Sequence, residues 1–291
     1  MELSDCLPGL TLPNGEQTGT TRGKQDRPPV RLRNARVARS LDLSGMRVLD
    51  VGCSYGLYSL YMADSAKEVV GIDHVRDRIA VAERTRQMLG YSNVHFKLAD
   101  IRDPSFFDEL GKFDLVVAWG FLHRIPDVFS ALYSLAHVTN AFSFEWMTPV
   151  FPFMSRASLA YHRTETNVLD TANLIPPGTL SPEEMVGKKH GGRSVFWCPT
   201  PYAVKTIVRK WGFEHTKVLG YNEGLWPQRN LILWHLARKL VRPSTVTFAR
   251  VHMTAERSPG SIRYKHADLR DAQLPEWDAA GRAYAERKSR R

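Results

Sequence analysis

The sequence predicts a doubly wound α/β fold built on a mostly parallel sheet with helices on both faces, and three observations predict it. Short apolar runs rich in β-branched and leucine side chains alternate four times with longer segments whose apolar residues recur at helical spacing between residues 47 and 136. The first run, Arg47 to Val51, stops abruptly at Gly52 and passes directly into a helical pattern. The four runs also lead to Asp50, Asp73, Asp100 and Trp119 at their carboxyl ends, where sheets of this kind bind ligands.

The elements follow in chain order. Residues 1 to about 35 carry many turn formers, including Pro8, Gly9, Pro13, Asn14, Gly15 and the pair Pro28 and Pro29, and read as an irregular arm; the arm as a whole is taken as residues 1–40. Val37 to Leu43 is expected as a short helix. After the first strand, Leu57, Leu60, Tyr61 and Ala63 place a helix over Tyr55 to Ala66, whose first N–H groups point back at the turn. Glu68 to Asp73 is a second strand, followed by a helix over Val75 to Leu89. Val94 to Leu98 is the third strand, and Phe113 to Ala118 is the fourth. A helix from Pro126 to Ala136 precedes a fifth strand near Ala141 to Glu145.

From Met147 to Trp197 the alternation gives way to a proline- and glycine-containing insertion, taken as a lid over about 149–197 because long insertions in compact domains are commonly functional. Its aromatics, Phe151, Phe153, Tyr161 and Trp197, are interleaved with Arg156, His162, Lys188, Lys189, His190 and Arg193, which suits a polar or anionic substrate. Pro199 to Trp211 reads as a helix ending at Gly212. His215 to Tyr221 and Leu231 to Ala237 read as a closing hairpin. Residues 241–291 are polar and Arg-rich and are expected as a basic extension beyond a domain of residues 41–240, with a helix near Trp277 to Arg287.

Composition narrows the function classes. With 291 residues, 43% of them hydrophobic, the chain can bury a sizeable core. No apolar run approaches the roughly 20 residues that span a bilayer, so a membrane partner is not expected and a cytoplasmic location is. Cys6, Cys53 and Cys198 are odd in number and widely spaced, which argues against a disulfide framework or a zinc site and predicts free thiols. No metal is expected. The formal charge of +10 is uneven: +3 over residues 1–40, −4 over 41–150 and +11 over 151–291. The basic half suits an anionic substrate or nucleic acid, and equally a solvated face with an Arg-rich tail.

The turn after the first strand separates two ligand classes. A dinucleotide fingerprint requires glycines at relative positions one, three and six, and from Gly52 those positions hold Gly, Ser54 and Leu57. The pattern that remains, Asp50-x-Gly52-x-x-x-Gly56, resembles the first motif of class I S-adenosylmethionine-dependent methyltransferases, with Ser54 at the usual middle glycine. That resemblance implies a seven-stranded Rossmann-like methyltransferase fold and S-adenosylmethionine as cofactor. It assigns the loop Asp50, Gly52, Cys53, Ser54 and Gly56 to the methionine part, with Asp50 near the ammonium group. It assigns Asp73, with His74 beside it, to the ribose hydroxyls, Asp100 and Ile101 to the adenine, and Trp119 and Gly120 to the region of the methyl group. A carboxylate at Asp73 suits paired hydroxyls because it accepts two hydrogen bonds; it equally suits a cap on the next helix.

A narrower resemblance joins the flanks to the core. Leu12-Pro13-Asn14-Gly15 with Thr18, Leu43 to Cys53, Gly120-Phe121-Leu122-His123-Arg124-Ile125-Pro126-Asp127, and Pro199-Thr200 before Gly212-Phe213 resemble the tRNA wobble-uridine carboxymethyltransferase-like group, which includes small-molecule and sugar O-methyltransferases. Methyl transfer to a hydroxyl needs alignment and a base. His123, His162 and Glu145 are the candidates, His123 being equally suited to bonding the loop backbone. The first reading is thus O-methylation of a small metabolite or sugar. Modification of tRNA or another RNA through the basic half is the second, and a non-catalytic cofactor-binding protein is the third.

Overall fold

A computed structural model describes residues 32–101, 103, 105–120, 125, 128–150, 200–221 and 247–266. The elements are α1 (Leu32–Ser40), β1 (Leu41–Asp42), β2 (Arg47–Val51), α2 (Leu57–Ala63), β3 (Glu68–Asp73), α3 (Arg76–Met88), β4 (Val94–Leu98), α4 (Ser105–Leu110), β5 (Leu115–Trp119), α5 (Val128–Val138), β6 (Ala141–Val150), α6 (Pro201–Lys210), β7 (His215–Tyr221), β8 (Thr247–Glu256) and β9 (Arg263–Tyr264). The seven-stranded sheet has the order β4-β3-β2-β5-β6-β8-β7, and a two-stranded ribbon joins β1 to β9. This is the mixed, mostly parallel α/β sheet that the alternation predicts. The described residues fall into two compact units, 32–117 with 260–266, and 118–221 with 247–259.

In the first unit β2 runs parallel to both β3 and β5, and β3 parallel to β4. Strands covered on both faces need near-continuous apolar runs. Val48, Leu49 and Val51 of β2, Val69, Val70 and Ile72 of β3, and Leu115, Val116 and Val117 of β5 are all buried. Arg47 ties the amino ends of the strands together: its Nε donates to Glu68 at 2.6 Å, its Nη1 to the Leu110 carbonyl at 2.5 Å, and its backbone N–H to Asp114 at 2.7 Å. Gly71 leaves room for the Phe96 ring, since a Cβ there would lie 2.7 Å from the ring's Cδ1. The ribbon registers Leu41 with Tyr264 and Asp42 with Arg263.

In the second unit β8 lies antiparallel to both β6 and β7. Phe142 and Phe144 stack with centroids 4.8 Å apart, and Phe213 approaches Phe142 at 4.8 Å. Helix α6 starts and stops on local chemistry. The Thr200 hydroxyl accepts the Ala203 N–H at 3.2 Å and Pro201 follows it, while Arg209 and Lys210 occupy the last turn and Gly212 turns out at φ 87°.

Several boundaries differ from expectation. The short helix at 37–43 begins at Leu32, inside the expected arm, and yields to β1 at Leu41 because that backbone pairs with β9. The helix after the loop is shorter, Leu57–Ala63. Strand β6 continues to Val150, beyond the expected onset of the insertion at Met147, because β8 pairs with it throughout. The seventh strand of the sheet is Thr247–Glu256, from the stretch read as an extension; the expected strand 231–237 lies outside the described residues. The rest of the insertion (151–199) and residues 267–291 lie outside them as well.

Candidate functional site

The loop between β2 and α2 uses three left-handed residues in five, Gly52 at φ 70°, Ser54 at 55° and Gly56 at 79°. Ser54 is the only non-glycine with positive φ among the described residues. A non-glycine there carries backbone strain that the surroundings must hold, and a buried carboxylate does so: the Ser54 N–H donates to Asp73 Oδ2 at 3.0 Å. The Gly52 and Cys53 amides both donate to the Ile72 carbonyl, at 2.8 and 3.0 Å, and Gly56 donates to Cys53 at 2.9 Å. The Gly52, Cys53 and Ser54 amides therefore tie the turn to β3, and the Gly56 amide closes it on itself. Gly56 has a packing reason besides its φ, because a Cβ would sit 2.4 Å from Phe96 Cζ and 3.0 Å from Ala82 Cβ.

Two buried carboxyl groups lie against this loop. Asp50 is 2% exposed and accepts the Ser59 hydroxyl at 2.6 Å. Burial, with a smaller push from Asp73, raises its carboxyl to about 7 against the opposing Ser59 bond. Asp73 is 5% exposed; its second oxygen accepts the Val75 N–H at 2.9 Å, and Arg78 lies 3.6 Å away. Asp73 thus does serve the start of α3, and it braces the loop too. Its two oxygens offer about four acceptor sites, so two backbone donors leave capacity for further hydroxyls. His74 has an exposed ring 3.7 Å from Asp73. The Ala99 amide donates to the Asp73 carbonyl at 3.1 Å, which brings half-buried Asp100 and buried Ile101 to the same strand ends. Cys53 is a buried free thiol whose burial, reinforced by Asp50 and Asp73, pushes its titration well above the usual range.

In the second unit, buried Trp119 ends β5, and its indole N–H donates to Ser143 Oγ at 3.0 Å. Its ring meets His252 edge-on with centroids 5.7 Å apart. Gly120, at φ 76°, donates its N–H to the Glu145 carbonyl at 2.9 Å. Glu145 is fully buried and takes Arg250 Nη1 on both oxygens, at 2.9 and 3.2 Å. With both oxygens engaged by the guanidinium, the geometry suits Glu145 to positioning. His123 and His162 lie outside the described residues.

The structure therefore brings together Asp50, Gly52, Cys53, Ser54, Gly56, Asp73, His74, Asp100 and Ile101 in one unit, and Trp119, Gly120 and Glu145 in the other. Sequence reasoning missed Ser59, Arg78, Arg250 and His252. Arg78 falls one turn into the helix after Asp73, where a basic partner is foreseeable. Arg250 and His252 sit 105 and 107 residues beyond Glu145, and only the alternation of apolar and polar residues in Thr247–Glu256 marks them as strand residues.

Comparison with known proteins agrees with this layout. A family model described as a methyltransferase domain matches residues 42–144. The chain is 30% identical over 131 residues, 40% of its length, to a magnesium-protoporphyrin O-methyltransferase of Rhodobacter capsulatus, of which the match spans 57%. It is 29% identical over 151 residues, 52% of its length and 60% of the relative, to a ubiquinone biosynthesis O-methyltransferase of Xanthomonas oryzae pv. oryzae. The chain thus spans little more than half of these relatives. Among solved structures, the N-terminal domain of EvdMO1 in the presence of SAH and D-fucose superposes with a TM-score of 0.57 at 16% identity, covering 87% of this chain and 92% of that one. Residues 42–144 thus match a methyltransferase domain, and the sheet shares the Rossmann-like fold of that solved neighbour.

Proposed function

We propose that the chain is an S-adenosylmethionine-dependent methyltransferase that acts on an oxygen of a small molecule, a metabolite or sugar hydroxyl. The observation that carries this is the pair of buried carboxyl groups, Asp50 and Asp73, gathered around a left-handed glycine loop inside a segment that matches a methyltransferase domain. The residues fit the cofactor. Asp73 would take the ribose hydroxyls with its remaining acceptor sites, Asp50 the ammonium group, and Asp100 with Ile101 the adenine. Bound there, the cofactor supplies a methyl group on a sulfonium. The protein's own share is alignment, exclusion of water and removal of the acceptor's proton.

The acceptor atom is supported by the relatives' names, both of them O-methyltransferases. His123, just past β5, is the assigned base, with His162 as the alternative. His123→Asn is then expected to lower turnover by about 10² to 10⁴ at unchanged cofactor affinity; a variant retaining more than about a tenth of wild-type turnover moves the assignment to His162.

Calorimetry tests the cofactor. Wild-type protein is expected to bind both S-adenosylmethionine and S-adenosylhomocysteine, and Asp73→Ala to weaken both by about 1.5 to 3 kcal/mol for the lost charged acceptor. Heat with a nicotinamide dinucleotide and none with either ligand overturns the reading. A radiolabelled acceptor screen that includes tRNA then tests the substrate. Labelling of tRNA alone, falling steeply with salt, would transfer the assignment to the narrower resemblance and its basic C-terminal half.

A further inference from the structure

Helix α3 turns one charged side chain toward the loop that follows β2. Its buried residues, Ala82 and Thr85, mark the inward stripe. Positions three and four apart share a helix face, so Arg78 continues that stripe one turn nearer the helix start. Ala82 packs on the loop itself, since a Cβ at Gly56 would lie 3.0 Å from the Ala82 Cβ. Side chains on a helix lean toward its amino end, and there Asp73 closes β3 and accepts the Val75 N–H. Arg78 Nη1 accordingly stands 3.6 Å from Asp73 Oδ2, and on the other oxygen His74 Nδ1 stands 3.7 Å from Oδ1. Both distances exceed a direct hydrogen bond, and both are short enough for one oxygen atom to bridge the two groups. Among the described residues no hydrogen bond engages the Arg78 guanidinium, and its side chain is 40% exposed. An ion pair this open adds little stability. Its donors are open to a ligand arriving from solvent.

We propose that Arg78 is a further cofactor-binding residue, whose guanidinium donates to the oxygen of a ribose hydroxyl that in turn donates to Asp73. The inference rests on the methyltransferase reading and deepens it by assigning the donor half of ribose recognition. A hydroxyl donates one hydrogen and accepts on its oxygen. An ionised carboxylate only accepts and a guanidinium only donates, so neither alone satisfies a hydroxyl in both senses, whereas the two together do. Asp73 suits the accepting half, because its bonds from the Ser54 and Val75 amides take one acceptor site on each oxygen and leave others. Arg78 suits the donating half, because its charge does not titrate in the neutral range and its donors form a fixed fork. The carboxylate thus has a donor group set just beyond bonding distance at each oxygen, an arrangement that matches a pair of vicinal hydroxyls.

The test is calorimetry of S-adenosylhomocysteine and its 2′-deoxy and 3′-deoxy analogues, with the wild type and Arg78→Leu. The substitution is expected to weaken S-adenosylhomocysteine by about tenfold, the size of one hydrogen bond from a charged donor. That loss is expected to vanish for the analogue lacking the hydroxyl that Arg78 serves, and to persist for the other. A role confined to bracing the loop or balancing the charge of Asp73 would weaken all three ligands alike. Arg78→Lys keeps the charge without the fork and is expected to recover only part of the loss. Both variants are expected to melt with the wild type, since an open ion pair holds little of the fold. An equal loss for all three ligands, or none for S-adenosylhomocysteine, overturns the assignment. A wild type that binds S-adenosylhomocysteine and both analogues with the same affinity overturns it while leaving the cofactor reading standing, and absence of S-adenosylhomocysteine binding overturns both.

Discussion

Asp50 is buried, with the hydroxyl and the backbone N–H of Ser59 as hydrogen-bond donors, and burial decides its titration. An aspartate in an unfolded chain titrates near 3.9, whereas here the carboxyl is held up to about 7. Between those two values the folded chain keeps a proton that the unfolded chain has lost. The stability tied to this group is therefore fully present below about 4, falls as pH rises toward about 7, and is level above it. Thermal melts of the cofactor-free protein across this range should show that decline, and Asp50→Asn, which keeps an oxygen for Ser59 but does not ionise, should flatten it. An equal slope in the variant would assign the pH dependence to other groups. In the proposed function the cofactor's ammonium favours the ionised form, so affinity for S-adenosylmethionine is expected to rise with pH through the same region. Asp50 itself was legible from its place two residues before Gly52. Ser59 was not, because it belongs to the middle of a buried helix and only the closed loop brings it 2.6 Å from the carboxyl group.

The loop and its helix behave as one element, held by geometry that two glycines distinguish. Gly90 and Gly56 share the left-handed conformation, at φ 73° and 79°. A Cβ at Gly90 meets nothing within 4 Å, whereas one at Gly56 meets Phe96 at 2.4 Å. Gly90→Ala should therefore cost only the backbone term, about 1 kcal/mol. Gly56→Ala should cost about 1 to 3 kcal/mol more, from overpacking against the ring. Phe96→Leu should relieve part of that excess in a double-mutant cycle. Denaturant titrations check all three, and equal losses at the two glycines would show that Phe96 moves aside freely. The sequence announced this turn through a strand that halts at glycine and a helix that starts after it. The tie between Gly56 and Phe96 was hidden, since nothing local connects a turn residue to a ring 40 positions away on β4. Likewise the acceptors that Ile72 and Asp73 offer to the Gly52, Cys53 and Ser54 amides come from β3, which a single loop's sequence does not reveal.

At the scale of the whole molecule, the parallel strands were legible because burial on both faces demands near-continuous apolar runs, as in Val48 and Leu49 and in Leu115 to Val117. The antiparallel end was less so. Thr247–Glu256 carries Arg250, His252 and Thr254 alternating with Val251, Met253 and Ala255. That period-2 pattern is a strand signal, but its polar half resembles the Arg-rich stretch around it, so composition masked periodicity. The boundary at residue 241 consequently excludes a strand that β6 and β7 both pair with. A chain ending at residue 240 would leave both strands with unpaired edges, and would expose Phe142, Phe144 and Trp146 where Val251, Met253 and Ala255 now stand beside them. Open, apolar edges of that kind invite aggregation. It would also remove β9, the partner of β1. Truncation after residue 240 is therefore expected to abolish the cooperative thermal transition and drive the protein into aggregates, whereas truncation after His266 retains every described strand and should keep the transition. Circular dichroism melts with size-exclusion chromatography decide between them: a monomeric, cooperatively melting chain of residues 1–240 would show that β6 and β7 hold without β8 and that the sheet ends where composition placed it.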